Sequence, residues 1–318
     1  MKSGFKVIKP GILSLLQDFG RFGYNHLGLC SGGPVDKEAF RWSNRLCSNP
    51  ENFEVIEISI GGLVMEAQTR VCIALTGADI PMQINKKWAA PWQAHYIDRG
   101  DRLELGYART GMRGYLAVSG GFECKKTFGS VSTVPREKLG GFRQDGSAIQ
   151  IGDLLRCRAV QALPRRVKLP LSLRPLRPQN NVKLRVVLGC QQDTFAEDNK
   201  QLFFASEYTL SKDSDRTGCR LNGPAIYSSI NGMISEGTGL GAIQFPPGGQ
   251  PIVLMCDRPT IGGYPKLGSV FSPDMDKLGQ LVPGSKLTFD PIDIDAARLS
   301  LISLEAEFLA TRSVPVDL

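Results

Sequence analysis

The segment Val71–Leu75 reads Val-Cys-Ile-Ala-Leu, an apolar run of strand length that is closed by Thr76-Gly77. A short run of this kind, rich in β-branched residues and ended by glycine, is typical of a buried β-strand. Most runs like it are bounded by Gly, Pro, Asn or Asp, which supply turn dihedrals, so the sequence predicts a mostly β protein. The other runs are Phe5–Ile8, Val55–Ile58, Met82–Ile84, Arg102–Leu105, Tyr115–Val118, Val186–Leu188 and Ile252–Met255.

Helices are predicted to be few. One is expected over Asp36–Cys47, with Asp36 as its cap, and another over Thr194–Phe204. Ser272–Asp274 resembles a capping serine followed by proline at the first helical position. The segment Ile294–Thr311 has helical spacing of its apolar residues, which suits a C-terminal helix packed on the protein body or on a partner. Those apolar residues are Ala297, Leu301, Leu304 and Phe308.

The chain is long enough for two domains of ordinary size. It has 318 residues, of which 42% are hydrophobic and 22% charged, so it holds enough apolar material for a packed core. The stretch Ala162–Asn181 contains four prolines and many basic residues, and it is interpreted as an inter-domain linker. We therefore predict an N-terminal domain over 1–161, a linker over 162–181 and a C-terminal domain over 182–318.

Charge and cysteine usage narrow the class of protein. The net charge of +7 favours an anionic partner, but the basic residues are scattered and form no nucleic-acid motif. The 8 cysteines are widely spaced without a Cys-x-x-Cys pair, and they are interpreted as small buried side chains in a reducing compartment. Met1–Phe5 lack an apolar signal region, and no stretch approaches the ~18 apolar residues of a membrane span. A cytoplasmic protein that binds neither nucleic acid nor membrane is expected.

Several kinds of site lack their sequence signals. The chain has only His26 and His95, which do not support a zinc site, and no Gly-x-Ser-x-Gly elbow supports Ser-His-Asp catalysis. There is no phosphate-binding loop, and Gly237–Gly241 is not a dinucleotide fingerprint because it leads into a predicted strand. A Met-Lys-Met-type biotin attachment sequence is also missing. We therefore expect the chain alone to bind no cofactor.

Four polar segments punctuated by glycine are candidates for chemistry: Leu16–Tyr24, Ser214–Pro224, Ile234–Pro246 and Cys256–Lys266. Glycine lets backbone N–H groups approach a ligand, arginine offers a two-point fork to a carboxylate, and glutamine can both donate to and accept from an amide. Each segment also has a structural interpretation, since Asp-Arg pairs commonly form ion pairs and turn caps. Both interpretations stay open on the sequence alone.

These segments, together with others in the same order, resemble the family of 5-oxoprolinase C subunits, also described as KipA or allophanate hydrolase subunit 2. The resemblance extends from about Val7 to Phe289. The chain departs from the family pattern at Cys190–Phe195, where Pro-Gln-Asp-Asp-Trp-Phe is common, and also at Cys219 and Phe22. The matching stretches are Gln17–Arg21, Gly32–Asp36, Asn49–Asn52, Leu75–Asp79, Tyr115–Gly121, Ser214–Arg216, Ser235–Gly237, Gly241–Gln244 and Gly262–Lys266.

The resemblance implies tandem cyclophilin-like β-barrel domains, as in the carboxyltransferase part of urea carboxylases, with a few short helices and a C-terminal helix. It also implies a complex with two partner proteins. One is a KipI-like B subunit and the other is a LamB/YcsF-like A subunit. Such a complex hydrolyses 5-oxo-L-proline to L-glutamate, and it uses ATP because the lactam is a stable amide. The chain then belongs to a hydrolase complex and is not a self-sufficient enzyme.

Within that interpretation, Asp215 and Asp257 are candidate catalytic residues that orient groups or exchange protons. Two alternatives remain open: a carboxyltransferase component that acts with carboxybiotin on urea or a similar amide, and a regulatory protein that binds a KipI-like partner. The candidate substrate-binding residues are Arg216, Glu236, Gln244, Arg258, Gly263, Tyr264 and Lys266, among which Arg and Lys would hold anionic groups and Gln244 and Gly263 an amide.

Overall fold

A computed structural model describes residues 4–175, 180–230 and 232–316 of the chain. The first three residues of the N-terminus, residues 176–179 of the predicted linker, residue 231 and the last two residues lie outside this range. The chain divides into two compact units. The first comprises Met1–Phe22, Gly32–Arg177 and Arg312–Leu318, and the second comprises Gly23–Ser31 and Pro178–Thr311.

The first unit is built on two larger antiparallel sheets. Its strands are β1 (Gly4–Pro10), β2 (Leu13–Gln17), β3 (Val55–Ser59), β4 (Leu63–Ala67), β5 (Val71–Gly77), β6 (Met82–Ile84), β7 (Lys87–Ala89), β8 (Ala94–Ile97), β9 (Arg102–Leu105), β10 (Arg113–Val118), β11 (Leu154–Arg156) and β12 (Val167–Lys168). One sheet has the order β11-β1-β4-β9-β6-β7 and the other β2-β3-β10-β5-β8. The predicted linker thus contains β12, followed by a 3-10 helix at Leu171–Leu173.

Apolar side chains from both sheets form one core in this unit. Strands β5 and β10 are register partners, so that Leu116 lies opposite Leu75 and Val118 opposite Ile73. These four residues are buried together with residues of the other sheet, such as Met65. Burial on this scale is the main stabilising term of the unit, at roughly 1.5–3 kcal/mol for each large side chain.

Helix α1 (Lys37–Leu46) covers the second sheet of this unit. The Asp36 side chain accepts a hydrogen bond from the Ala39 N–H at 3.0 Å, which confirms the predicted cap. The Thr76 hydroxyl on β5 donates to the Ala39 carbonyl at 2.6 Å, and the ring of Phe40 meets Tyr115 of β10 edge-on at 6.4 Å. The helix is therefore fixed to the sheet by both polar and aromatic contacts.

The first candidate segment, Leu16–Tyr24, contains a buried polar cluster. Asp18 accepts hydrogen bonds from the hydroxyls of Ser130 at 2.5 Å and Ser132 at 2.8 Å, and from the Val131 N–H at 3.0 Å. It also accepts from the Gly20 N–H at 3.0 Å, which closes the turn after β2. A carboxylate with this many donors ties the turn to a distant loop, which favours the structural interpretation of the segment.

The second unit is built on a closed barrel. Its strands are β13 (Val182–Leu188), β14 (Tyr208–Leu210), β15 (Gly218–Asn222), β16 (Glu236–Gly237), β17 (Ala242–Gln244), β18 (Ile252–Leu254), β19 (Ile261–Gly262), β20 (Lys266–Val270) and β21 (Lys286–Pro291). The barrel has the order β13-β20-β17-β18-β15-β14-β21, and it closes through a parallel pairing of β13 with β21. The last strand of the chain, β22 (Val314–Pro315), belongs to the first unit, where it pairs with β12.

Aromatic side chains fill one end of the barrel. The rings of Phe203 and Phe289 stack at 4.6 Å between centroids, and Phe245 packs against Phe203 at 5.7 Å. Offset and edge-on aromatic pairs add about 0.5–1.5 kcal/mol each beyond the burial of their area. The prediction of a mostly β fold is confirmed, since the eight runs named from the sequence all coincide with strands.

Three helices belong to the second unit: α2 (Glu197–Ala205), α3 (Asp274–Leu278) and α4 (Ile294–Ala310). Helix α2 begins later than predicted, because Thr194 ends a 3-10 helix and Phe195 is extended. Helix α3 begins at Asp274, with Pro273 in the flanking position and not at the first helical one. The α4 prediction is confirmed in its bounds, and Asp293 caps the helix through the Ala296 N–H at 2.8 Å.

Helix α4 is held to the unit along a narrow side. Of the four apolar residues expected to pack on the body or on a partner, Ala297 and Phe308 are buried, whereas Leu301 and Leu304 remain substantially exposed. Arg185 of β13 donates to the Ser300 hydroxyl at 3.2 Å and holds Asp274 through two hydrogen bonds of 2.8 Å from its guanidinium. Within the described ranges, none of the helices combines the length and the apolar character that crossing a membrane would require.

Candidate functional site

The candidate residues all lie in the second unit, and the strongest pairing among them joins Arg216 to Asp257. The Arg216 guanidinium donates to both carboxylate oxygens of Asp257, at 2.9 Å each, and both side chains are buried. The Asp257 N–H also donates to the Arg216 carbonyl at 2.8 Å. A two-point pair of this kind has strong directional hydrogen bonds, and removing one partner would leave a buried charge.

Asp215 performs a different task next to this pair. Its Oδ1 accepts hydrogen bonds from the Thr217 N–H at 2.7 Å and the Gly218 N–H at 3.1 Å. This is the geometry of an aspartate that caps a turn at the start of a strand, here β15. Asp215 is exposed, and its carboxylate stabilises this turn.

Gln244 and Lys266 lie directly opposite each other on the neighbouring strands β17 and β20. The pairing includes an irregularity, because the register shifts between Ile243 and Gln244. Gln244 is only 5% exposed, and its Nε2 has no hydrogen-bond partner among the described residues. A buried amide nitrogen without an acceptor costs about 1–3 kcal/mol, so it calls for an explanation.

Lys266 presents a second buried nitrogen at the same place. Its Nζ lies 2.5 Å from Glu236 Oε1, which is an ion-pair distance, yet it makes no hydrogen bond of ordinary geometry with the residues described. An ammonium group has three donors, and a single close carboxylate oxygen uses at most one of them. Gln244 and Lys266 are thus register partners, and each has a donor nitrogen whose hydrogen-bonding capacity the described part of the chain does not fill.

Gln191 connects the parts of this arrangement. Its Oε1 accepts from the Lys266 backbone N–H at 2.8 Å, and its Nε2 donates to Glu236 Oε1 at 2.5 Å. The close Lys266 ammonium lowers the pKa of Glu236, and Gln191 adds to this effect, so that Glu236 is ionised at neutral pH. Gln191 thus fixes both the strand that carries Lys266 and the carboxylate that faces its ammonium.

The short strand pair β16–β19 covers Gln244. A Cβ added to Gly262 would lie 2.5 Å from Gln244 Nε2 and 3.2 Å from the methyl group of Thr238. Gly263 accepts a hydrogen bond from the Met233 N–H at 3.1 Å through its carbonyl, and the adjacent Tyr264 side chain is exposed. Because Gly262 has no Cβ, there is room for the Gln244 amide next to it.

Arg258 contacts Thr238, the residue that follows β16. Its Nε donates to the Thr238 carbonyl at 3.3 Å, and the Thr238 hydroxyl in turn donates to the Pro259 carbonyl. Burial lowers the pKa of Arg258, although a guanidinium remains charged at physiological pH. The structure thus brings Gln244, Lys266, Glu236 and the β16–β19 strand pair together, with Arg258 next to them through Thr238.

Two residues of this arrangement had no role assigned from the sequence. Gln191 lies in Cys190–Phe195, the segment that departs from the family motif. Its position nevertheless keeps the glutamine of that motif, which is the sequence feature that could have identified it as a site residue. No sequence feature could have identified Thr238, because its contact with Arg258 is made by its backbone carbonyl. The interpretation of the cysteines as buried holds for six of them, whereas Cys124 is partly exposed and Cys190, next to Gln191, is exposed.

Comparison with known proteins places this chain in a family. The family model described as carboxyltransferase domain, subdomain A and B, matches residues 27–291. The chain is 33% identical to the 5-oxoprolinase C subunit of Haemophilus influenzae, over 89% of this chain and 90% of that protein. It is 32% identical to the 5-oxoprolinase C subunit of Escherichia coli, over 92% of both chains.

A solved structure supports the same assignment. The urea amidolyase of K. lactis matches with a TM-score of 0.90 and 28% identity, over all of this chain. This chain spans 20% of that much longer polypeptide, whereas it spans about nine-tenths of the two curated relatives. Since the family model covers most of the chain and the two relatives match nearly from end to end, the chain belongs to the carboxyltransferase-domain family of subdomains A and B that includes the 5-oxoprolinase C subunits.

Proposed function

We propose that this chain is the C subunit of an ATP-dependent 5-oxoprolinase and that its barrel contributes the donors that hold the lactam. The observation that carries the proposal is the pairing of Gln244 with Lys266 on neighbouring strands, where the side-chain nitrogen of each is buried with unused hydrogen-bonding capacity. It is supported by the similarity to two 5-oxoprolinase C subunits along nine-tenths of the chain.

The chemistry of a lactam suits these two donors. Attack of water at the carbonyl carbon moves electron density onto the carbonyl oxygen, and donors that are already in place stabilise that charge without reorganising. The Gln244 amide would orient the neutral carbonyl, and the Lys266 ammonium would interact more strongly as negative charge develops. Cleavage of the ring C–N bond then gives the open-chain glutamate.

The other candidate residues support this pair. Glu236 and Gln191 would position the Lys266 ammonium, and Arg258 would supply positive charge for a substrate carboxylate. The Arg216–Asp257 pair and the Asp215 turn would hold the segments that lead into β15 and away from β18. Gly263 would leave room for the substrate, and the exposed Tyr264 would cover it.

Partner subunits would complete the enzyme. The partners we assign are a KipI-like B subunit, together with a LamB/YcsF-like A subunit. We assign ATP binding to these partners because this chain carries no phosphate-binding loop motif. The complex would work in the cytoplasm.

A second function has one observation in its favour. The similarity to urea amidolyase supports a carboxyltransferase that works with carboxybiotin, and the same two donors would fit the ureido carbonyl oxygen of biotin. Carboxybiotin would supply the carboxyl group, while Gln244 and Lys266 would hold the ureido carbonyl oxygen of biotin.

The two functions are separated by reconstitution with the A and B subunits of the same organism. ATP hydrolysis and glutamate formation are measured with 5-oxoproline, with urea, and without substrate. The proposal predicts oxoproline-dependent turnover that is lost when this chain is omitted. Unchanged turnover without the chain would refute it, and transfer from a carboxylated biotin carrier to urea would favour the second function.

A further inference from the structure

Thr238, which directly follows β16, holds the segment that leads into β19 through three hydrogen bonds. Its N–H donates to the Thr260 carbonyl at 3.0 Å, and its hydroxyl donates to the Pro259 carbonyl. Its own carbonyl accepts a hydrogen bond from Arg258 Nε at 3.3 Å. Thr238 is buried, and its backbone N–H, its carbonyl and its hydroxyl together fix three consecutive residues of the neighbouring segment.

The same residue lies close to the amide of Gln244. A Cβ added to Gly262 would be 3.2 Å from the methyl group of Thr238 and 2.5 Å from Gln244 Nε2. Thr238 thus contacts Arg258 through its carbonyl, and its methyl group faces the space next to the Gln244 amide. It therefore connects the guanidinium of Arg258 with the amide donor of the proposed site.

The orientation of Arg258 matters because a guanidinium recognises a carboxylate by direction. Its N–H groups form a rigid planar fork, and a well-placed carboxylate accepts two of them at once. Arg258 is also buried, so water screens its charge less than it would at the surface. A rotation of the guanidinium would weaken its interaction with a carboxylate and would leave the binding of a neutral ligand nearly unchanged.

We propose that Thr238 is a positioning residue that makes the site prefer lactams with a carboxylate group, because it fixes the orientation of Arg258; this rests on the function proposed above. 5-oxoproline carries such a carboxylate, whereas 2-pyrrolidinone is the same five-membered lactam without it. A hydroxyl that only stabilises the fold would affect the binding of both lactams equally. A hydroxyl that orients Arg258 affects the binding of 5-oxoproline alone.

The test measures the dissociation constants of both lactams by titration calorimetry, with this chain reconstituted with its A and B subunits. Thr238→Val keeps the shape of the side chain and removes the hydroxyl, whereas Thr238→Ser keeps the hydroxyl. We expect Thr238→Val to weaken the binding of 5-oxoproline roughly tenfold and that of 2-pyrrolidinone by less than about twofold. Thr238→Ser should retain the wild-type preference, as should the matched control Thr209→Val on β14.

A second comparison determines whether Thr238 acts through Arg258. Arg258→Met should abolish the preference for 5-oxoproline, and the addition of Thr238→Val to Arg258→Met should have no further effect on either lactam. Four results would overturn the proposal: equal weakening of both lactams by Thr238→Val, an unchanged preference in that variant, a wild-type complex without a preference, or a full effect of Thr238→Val in the Arg258→Met background.

Folding of each variant is checked by denaturant unfolding, and if Thr238→Val does not fold, Thr238→Ala is compared with Thr238→Ser in the same way. Catalysis is scored separately. If the complex binds 5-oxoproline with the expected preference but does not hydrolyse it, the proposed function fails and the role of Thr238 stands. If the complex hydrolyses 5-oxoproline but Thr238→Val affects both lactams equally, the role of Thr238 fails and the proposed function stands.

Discussion

The side-chain oxygen of Gln191 accepts a hydrogen bond from the backbone N–H of Lys266 at 2.8 Å, across 75 residues of sequence. The amide nitrogen of the same glutamine donates to Glu236, whose carboxylate faces the Lys266 ammonium. One neutral side chain thus fixes both the strand and the counter-ion of a lysine. The Lys266 ammonium is therefore held in place and still retains donors for a ligand beside Gln244.

Replacing Gln191 by leucine should reduce turnover more than stability. The change removes both hydrogen bonds at similar volume, so we expect a loss of about 1–2 kcal/mol in the free energy of unfolding. The Lys266 ammonium would lose its fixed orientation, and kcat for 5-oxoproline should fall at least tenfold with a smaller change in KM. Gln192→Leu is the matched control, and equal kinetics for the two variants would show that Gln191 only supports the loop.

Replacing Gln244 by leucine should separate function from stability. Gln244 Nε2 is buried without an acceptor in the described structure, so the apolar side chain of similar size should leave the denaturant midpoint unchanged or raise it. Oxoproline-dependent ATP hydrolysis should fall by an order of magnitude or more. A loss of more than about 2 kcal/mol in unfolding free energy would instead indicate that Gln244 has a structural role.

Adding one methyl group at Gly262 should displace the Gln244 amide. The new Cβ would lie 2.5 Å from Gln244 Nε2, so the amide has to leave its present position. We expect Gly262→Ala to lower turnover strongly while the barrel remains folded. Gly239→Ala is the control, because a Cβ there meets no atom within 4 Å. Similar activities of the two variants would contradict the placement of the Gln244 amide.

The buried Asp274 makes stability depend on pH. Burial by itself raises the pKa of Asp274, but hydrogen bonds from Arg185 and Lys277 outweigh it and hold the pKa below the ordinary value. Because the pKa of Asp274 is lower in the folded than in the unfolded protein, its ionised carboxylate stabilises the fold at pH values above the ordinary aspartate pKa. This stabilisation is lost as the pH falls through the pKa of Asp274 in the folded protein.

Asp274→Asn should therefore destabilise the protein at pH 7, by about 2–4 kcal/mol, because it breaks a buried two-point ion pair. The difference from wild type should shrink as the pH is lowered below about 4. Denaturant unfolding of both proteins between about pH 7 and pH 3 measures this. A difference that stays constant over that range would mean that ionisation of Asp274 does not stabilise the fold.

Local patterns in the sequence predicted the elements of this fold well. Val71–Leu75 and Tyr115–Val118 are apolar runs bounded by turn residues, and they became the neighbouring strands β5 and β10. Asp36 marked the start of α1, because an aspartate just before a helix can accept a hydrogen bond from one of the free N–H groups of the first turn. The family resemblance added the barrel and the enzyme class, which no local pattern could supply.

Contacts between distant residues were beyond local patterns. The pairing of β13 with β21 that closes the barrel joins segments that lie far apart in the chain. The role of Gln191 depends on a partner 75 residues away, and the exposure of Cys190 depends on what packs over its loop. The spacing of the apolar residues in α4 likewise left open whether they pack on the body or on a partner, and only the structure shows that Ala297 and Phe308 are buried while Leu301 and Leu304 are exposed.

The central claim is that Lys266 and Gln244 hold the reacting amide, and the charge of Lys266 tests it most directly. The measurement is oxoproline-dependent ATP hydrolysis by the reconstituted complex containing Lys266→Met or, as control, Lys183→Met, which removes an exposed lysine paired with Asp290 in the same barrel. The account predicts at least a hundredfold loss for Lys266→Met and less than a twofold change for Lys183→Met. Full activity of a folded, assembled Lys266→Met complex would contradict it.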